Sequence, residues 1–164
     1  MLDSLPRERH EQAGILLTLP DNQANLRRSI SANYYALFHL LILAATHLWN
    51  RAEHHANLAR QFDHKRMKDA STALVKKLTV ELTKLTPSSR DFEIHNFLLL
   101  VASAFVSLQQ ERQKAEYDLS DAVVRNKAQS VHEDTTVAFE SWDQVKDEPL
   151  AHDYLYSLLF KDRY

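Results

Sequence analysis

Apolar residues recur at intervals of three and four through most of the chain, the spacing that puts them on one side of an α-helix. A first helix is predicted from Ser4, with Pro6 just inside its start, to about Leu19, where Pro20-Asp21-Asn22 breaks it. The second is predicted over residues 23–50, with Leu26, Ile30, Tyr34, Leu37, Leu41, Ala45 and Leu48 on its main stripe. A second strip, Tyr35, Phe38, Ile42 and Trp49, makes this helix apolar on two sides. It must therefore be central, covered by its own chain or by a second subunit.

Residues 51–61 are polar and read as a loop or frayed connection. Asp63 is placed to cap a third helix to about Leu85, with Met67, Leu74, Leu78, Leu82 and Leu85 inward. Thr86-Pro87-Ser88-Ser89 stops it, and Ser88 with Asp91 resembles a capping box that starts a fourth helix to about Tyr117. Its stripe is Ile94, Leu98, Val101, Phe105 and Leu108, and the next position on it is Arg112. Asp118-Leu119-Ser120 offers a break and a cap for a fifth helix to about Lys146, carrying Val124, Ala128, Val131, Ala138, Phe139, Trp142 and Val145. Pro149 ends it, and residues 150–164 form a short amphipathic helix that needs a surface. The expected fold is all-α: an up-and-down bundle of four to five helices over residues 1–149, with the C-terminal helix as an appendage that can be removed without unfolding it.

Composition narrows the chemistry. One glycine in 164 residues leaves no glycine-rich phosphate loop. The absence of cysteine removes disulfides, thiolate zinc sites and cysteine nucleophiles, and suits a reducing cytoplasm. A net charge of −2 argues against binding to double-stranded DNA through a general positive field, so any nucleic-acid site must be local. The apolar run over residues 34–49 is broken by His39 and Thr46-His47 and is shorter than the roughly 20 residues that cross a bilayer, so no membrane association is expected.

Arg112 is the most informative residue. A guanidinium on an apolar stripe needs a partner. Tyr34 and Tyr35 of the second helix can bring hydroxyls to it, and Glu111, Glu116, Tyr117 and Asp118 surround it in sequence. Two readings follow: an arginine held for phosphate with Tyr117 or Asp118 as companion, or a structural arginine neutralised by Asp118 or bending outward where the stripe ends.

The segment Arg27-Arg28-Ser-Ile-Ser-Ala-Asn-Tyr34-Tyr35-Ala-Leu-Phe38-His39, then His64-Lys65, then Glu111-Arg112-Gln-Lys-Ala-Glu-Tyr117-Asp118 resembles the prokaryotic HEPN domain over roughly residues 8–145. The resemblance implies a helical bundle, commonly a homodimer. In many members it also implies a metal-independent RNase or toxin, often paired with a small nucleotidyltransferase antitoxin. Family nucleases use an arginine, a polar residue and a histidine four to six positions after the arginine: arginine stabilises the phosphorane and histidine moves a proton. Here the arginine aligns with Arg112 and the histidine position holds Tyr117, whose phenol is a poor base at neutral pH.

The resulting expectation is a protein that binds nucleotide or RNA phosphate through Arg28, Tyr34, Tyr35 and Arg112, or a nucleotidyltransferase-type partner, over a degenerate nuclease site of Arg112, Tyr117 and Asp118. An active RNase and a purely structural interaction module are the alternatives. Arg90 with His95, the back-up catalytic pair, and Arg125 with His132 also match the arginine–histidine spacing, at about the frequency expected by chance. His54, His55 and His64 lie in one region but read as solvated or capping residues, so neither metal nor cofactor is expected. His39 is expected to be a hydrogen-bonded packing residue.

Overall fold

The computed structural model describes residues 2–160. It is an all-α bundle with no strand among the described residues. Its helices are α1 (Leu5–Leu16), α2 (Gln23–His47), the short α3 (His55–Ala59) after one 3-10 turn, α4 (His64–Leu82), α5 (Arg90–Tyr117), α6 (Arg125–Val145) and α7 (Pro149–Leu159). α2 is central. It touches α1, α5, α6 and α7, while α4 and α6 flank α5 on its two sides. Tyr34, Ile30, Leu37 and Leu41 of α2 meet Leu98, Val101 and Phe105 of α5 in a core that water does not reach.

Several ends differ from the sequence reading. α1 stops at Leu16 and the next residues close tight turns, Leu17 N–H on the Gly14 carbonyl and Thr18 N–H on that of Ile15. Ser4 makes no side-chain cap, whereas Asn22, read as a breaker, caps α2 by accepting from Asn25 N–H at 2.9 Å. α2 ends at His47, so Leu48 and Trp49 are exposed and leave the two stripes. The second strip is otherwise covered within the chain: Phe38 and Ile42 are buried, and Phe38 stacks on His64 of α4 at 4.4 Å. Asp63 caps α4 as expected, accepting from Arg66 N–H at 2.8 Å. Ser89 rather than Ser88 caps α5, accepting from Phe92 N–H.

The start of α6 shows tertiary contacts overriding a local signal. Asp118 turns its carboxylate onto Ser120 N–H in a local turn, the chain bends at Ser120 and Asp121, and α6 begins only after Val124, which is exposed. Side chains of α2 hold this segment. Gln23 pairs with both the carbonyl and the N–H of Val123, at 2.7 and 2.8 Å, and Arg27 reaches the carbonyls of Asp118 and Asp121.

The C-terminal helix is no appendage. Pro149 occupies its first turn, where its missing N–H costs nothing, and Ala151, Tyr154, Leu155, Leu158 and Leu159 are buried. Tyr154 Oη shares a 2.7 Å hydrogen bond with Ser71 of α4, and Arg66 donates to the Leu159 carbonyl. Residues 161–164 of the expected tail lie outside the described part.

The single glycine has a packing role. Gly14 has no positive φ; a Cβ there would sit 3.1 Å from Nε2 of His132, so its absence lets the imidazole of α6 lie against α1. Two helices, α2 and α5, are long and apolar enough to cross a membrane by length and composition, although the residue 34–49 run suggested none; a buried core helix such as α2 meets the same criterion.

Candidate functional site

The 3.6-residue period of α5 carries Arg112 inward one turn after Leu108, and the fold buries it, 7% exposed, against α2. Its guanidinium carbon lies 4.9 Å from the centre of the Tyr34 ring and 5.7 Å from that of Tyr35. Its Nη1 donates to Glu116 at 2.8 Å and, more weakly, to the Tyr35 hydroxyl at 3.4 Å. Its Nε is buried and has no partner among the described residues.

Behind Tyr34 stands the first residue of α4. His64 Nδ1 and the Tyr34 hydroxyl are 2.5 Å apart, and the His64 carbonyl accepts from Gln109, one turn before Arg112. Burial, with the neighbouring positive charge of Arg112, holds the His64 imidazole below its ordinary pKa. Burial likewise keeps Tyr34 a phenol. Three stretches far apart in sequence, around residues 34–35, 64 and 112, thus meet at one place.

Tyr117 and Asp118 do not join them. Tyr117 is 74% exposed, and the Asp118 carboxylate bonds Ser120. At about 100° per residue, a position five after Arg112 points roughly 140° around the helix, whereas the fourth, Glu116, returns to within about 40°. The partner of Arg112 is therefore Glu116, which the i, i+4 spacing of opposite charges could have identified.

In front of Tyr35 lies a cavity of about 410 Å³ between α1, α2 and the end of α5. Arg9, Arg27, Arg28, Tyr35 and Glu116 line it, with Gln12 and Ser31. Arg27 spends its donors on the carbonyls of Ala115, Asp118 and Asp121, at 2.9, 2.7 and 2.6 Å. Arg28 makes no hydrogen bond or ion pair among the described residues. Arg9 lies over the Tyr35 ring at 5.7 Å, and its Nε is buried with no partner among the described residues. Arg9 went unnoticed because nothing in the sequence of α1 tells which helix it will face. His39 stacks at 6.0 Å on Tyr35; burial and then Arg9 lower its pKa, against a bond to the Tyr35 backbone, so the ring is neutral at pH 7.

The other candidates disperse. Arg90 binds Glu93 and Glu148, whereas His95 sits between the Asp91 carbonyl and Glu81, so the pair serves two separate helix contacts. Arg125 is paired with Asp21, whereas His132 bonds Asn33. His55 donates to the Trp49 carbonyl, remote in role from His64, and no cluster of metal ligands forms among the described residues.

The geometry leads to a stability prediction. Because Glu116 is partly exposed and can turn to water, loss of its partner does not strand a buried charge. Arg112→Met, which refills the slot between the two tyrosine rings, is expected to cost less than about 1 kcal/mol. Arg112→Ala leaves a gap there and should cost about 2 kcal/mol. Urea denaturation of both variants measures the difference; equal losses would assign the cost to charge rather than to filling.

Compared against protein families, curated proteins and solved structures, the chain matches none.

Proposed function

We propose that the protein is a HEPN-like helical protein whose cavity between α1, α2 and α5 binds the phosphate of a nucleotide or RNA. The observation that carries this reading is a concave site with two arginines, Arg9 and Arg28, that lack partners among the described residues, beside Tyr35 and opposite one carboxylate already paired with Arg112. Arg28 is exposed and Arg9 half-buried; guanidinium donors that converge on a concave site suit an anion supplied from outside. The meeting of residues 34–35, 64 and 112 adds support, since these are the three landmarks on which the HEPN resemblance rests.

Binding is favoured over cleavage because the charged and basic groups next to Arg112 are engaged internally: Glu116 takes Nη1, and Tyr34 takes Nδ1 of His64. Anisotropy titration of a short labelled RNA is expected to give binding that Arg28→Glu weakens tenfold or more, about the loss of one charge-assisted contact. Equal affinity of the two proteins would contradict the reading.

A metal-independent RNase is the second reading, favoured by the neutral His64, which joins Arg112 through Tyr34 and could act as the base that Tyr117, turned away from the cluster, does not supply. It predicts that total RNA is cut in the presence of EDTA and spared by Arg112→Ala. The binding reading predicts intact RNA with both proteins.

A homodimer and a nucleotidyltransferase-type partner belong to the same proposal, with the protein as a cytoplasmic component of a toxin–antitoxin-like pair. Supporting a self-contact, α5 carries no Asp, Glu, Lys or Arg over residues 94–110, and Leu100 is exposed on it. Light scattering of the wild type and Leu100→Lys tests the dimer.

A further inference from the structure

We propose that the cavity selects a dianionic phosphomonoester, the terminal phosphate of a nucleotide or of an RNA 5′ end, over the singly charged phosphodiesters inside a strand. The inference rests on the anion-binding reading and adds the class of anion.

Charge is the first argument. Glu116, the one carboxylate on the cavity, is neutralised from behind by Arg112. The three guanidinium groups that line the space of about 410 Å³, Arg9, Arg27 and Arg28, therefore leave three positive charges unmatched. A phosphomonoester carries close to two negative charges above its second pKa of about 6, and an internal phosphodiester carries one.

Donor supply is the second. The cavity lies at the C-terminal end of α5, where open carbonyls form the negative pole of the helix and would repel an anion. Arg27 covers that pole by bonding the carbonyls of Lys114 and Ala115 and of the two turn residues beyond. It thus contributes charge and removes a repulsion, and keeps at most one N–H, on Nη2, for a ligand. Arg9 and Arg28 keep theirs. Two forks present four N–H groups; on the three terminal oxygens of a monoester only one oxygen has to accept twice. On the two non-bridging oxygens of a diester both must, and each carries less charge.

The third argument is what the site lacks. The Tyr35 ring already has Arg9 and Arg112 at 5.7 Å and His39 at 6.0 Å, so a base would have to compete with them to stack there in the manner of single-strand binders. Recognition falls to the phosphate itself.

The test compares one oligoribonucleotide with a 5′-phosphate and the same oligomer with a 5′-hydroxyl, titrated at pH 7.5 and fixed ionic strength into wild type, Arg9→Gln and Arg28→Gln. Circular dichroism melts verify that the variants are folded. The 5′-phosphate form is expected to bind about tenfold tighter to the wild type, and the preference is expected to fall below about threefold in each variant. Equal affinity of the two oligomers for the wild type overturns the monoester inference and leaves anion binding standing. A preference that persists in both variants also overturns it, since the monoester is then recognised elsewhere. Binding of neither oligomer, nor of inorganic phosphate, overturns the anion-binding reading itself.

Discussion

A chain ending at Glu148 is expected to lose its cooperative unfolding transition. α7 buries Tyr154, Leu155, Leu158 and Leu159, and large apolar side chains of this kind each contribute about 1.5 to 3 kcal/mol when removed from water. Much of that gain is offset by the cost of ordering α7 itself. The surfaces it covers on α4 and α2, however, are already ordered, and truncation exposes them with no such offset. Ser71 also loses its bond to the Tyr154 hydroxyl, although it can still donate to the Met67 carbonyl. The expected loss is on the order of 5 kcal/mol, comparable with the whole stability of a small domain. Urea denaturation followed by near- and far-ultraviolet circular dichroism checks it. A truncated chain with an unchanged midpoint would show that the helix only rests on the bundle.

Acid is expected to destabilise the fold through histidines held neutral inside it. His10 of α1 and His132 of α6 stack at 4.4 Å, and both share one acceptor on α2, Asn33 Oδ1, at 3.1 and 3.0 Å. Asn33 gives its amide to the Ser29 carbonyl, so its oxygen accepts and both rings donate from Nδ1. His10 Nε2 faces Thr136, and His132 Nε2 abuts Gly14. Burial is the main cause that lowers both pKa values. Arg7 lowers that of His10 further while Glu11 and the Asn33 bond oppose, and His10 lowers that of His132 while Glu133 opposes. The unfolded chain then takes up protons near the ordinary imidazole pKa of 6.5, at which the folded chain still resists them. Stability is therefore complete above that pH and falls as the pH drops through it.

His39 and His64 shift the same way, also chiefly through burial. With a discount for the partial exposure of all four rings, the loss between pH 7.5 and 5.5 should be on the order of 3 kcal/mol. His132→Phe, which keeps the stack and removes one proton site, should reduce the slope. A stability that is level over this range in the wild type would contradict the assignment of neutral, buried rings.

The helical stripes of α2, α4 and α5 were legible because burial of one face imposes a period that composition cannot hide; this period also placed Arg112 on the inward face of α5. What a stripe does not encode is its partner. The tail was recognisable as an amphipathic helix, yet nothing in residues 150–159 says that Ser71 and Arg66 will receive it. The break expected at Asp118-Leu119-Ser120 is there, but the cap is not, for a similar reason: Gln23 and Arg27, about a hundred residues earlier, hold the segment out of the helix until Val124. Arg9 was invisible, since its significance depends on α1 crossing α2 at the level of Tyr35.

The most direct test of an anion site between α1, α2 and α5 is the side-chain Nε–Hε spectrum of the arginines during titration with inorganic phosphate at constant ionic strength. The resonances of Arg9 and Arg28 are expected to shift together and saturate, while those of Arg90 and Arg125, paired with carboxylates elsewhere, stay in place. Small unsaturating shifts spread evenly over all the arginines would contradict the account.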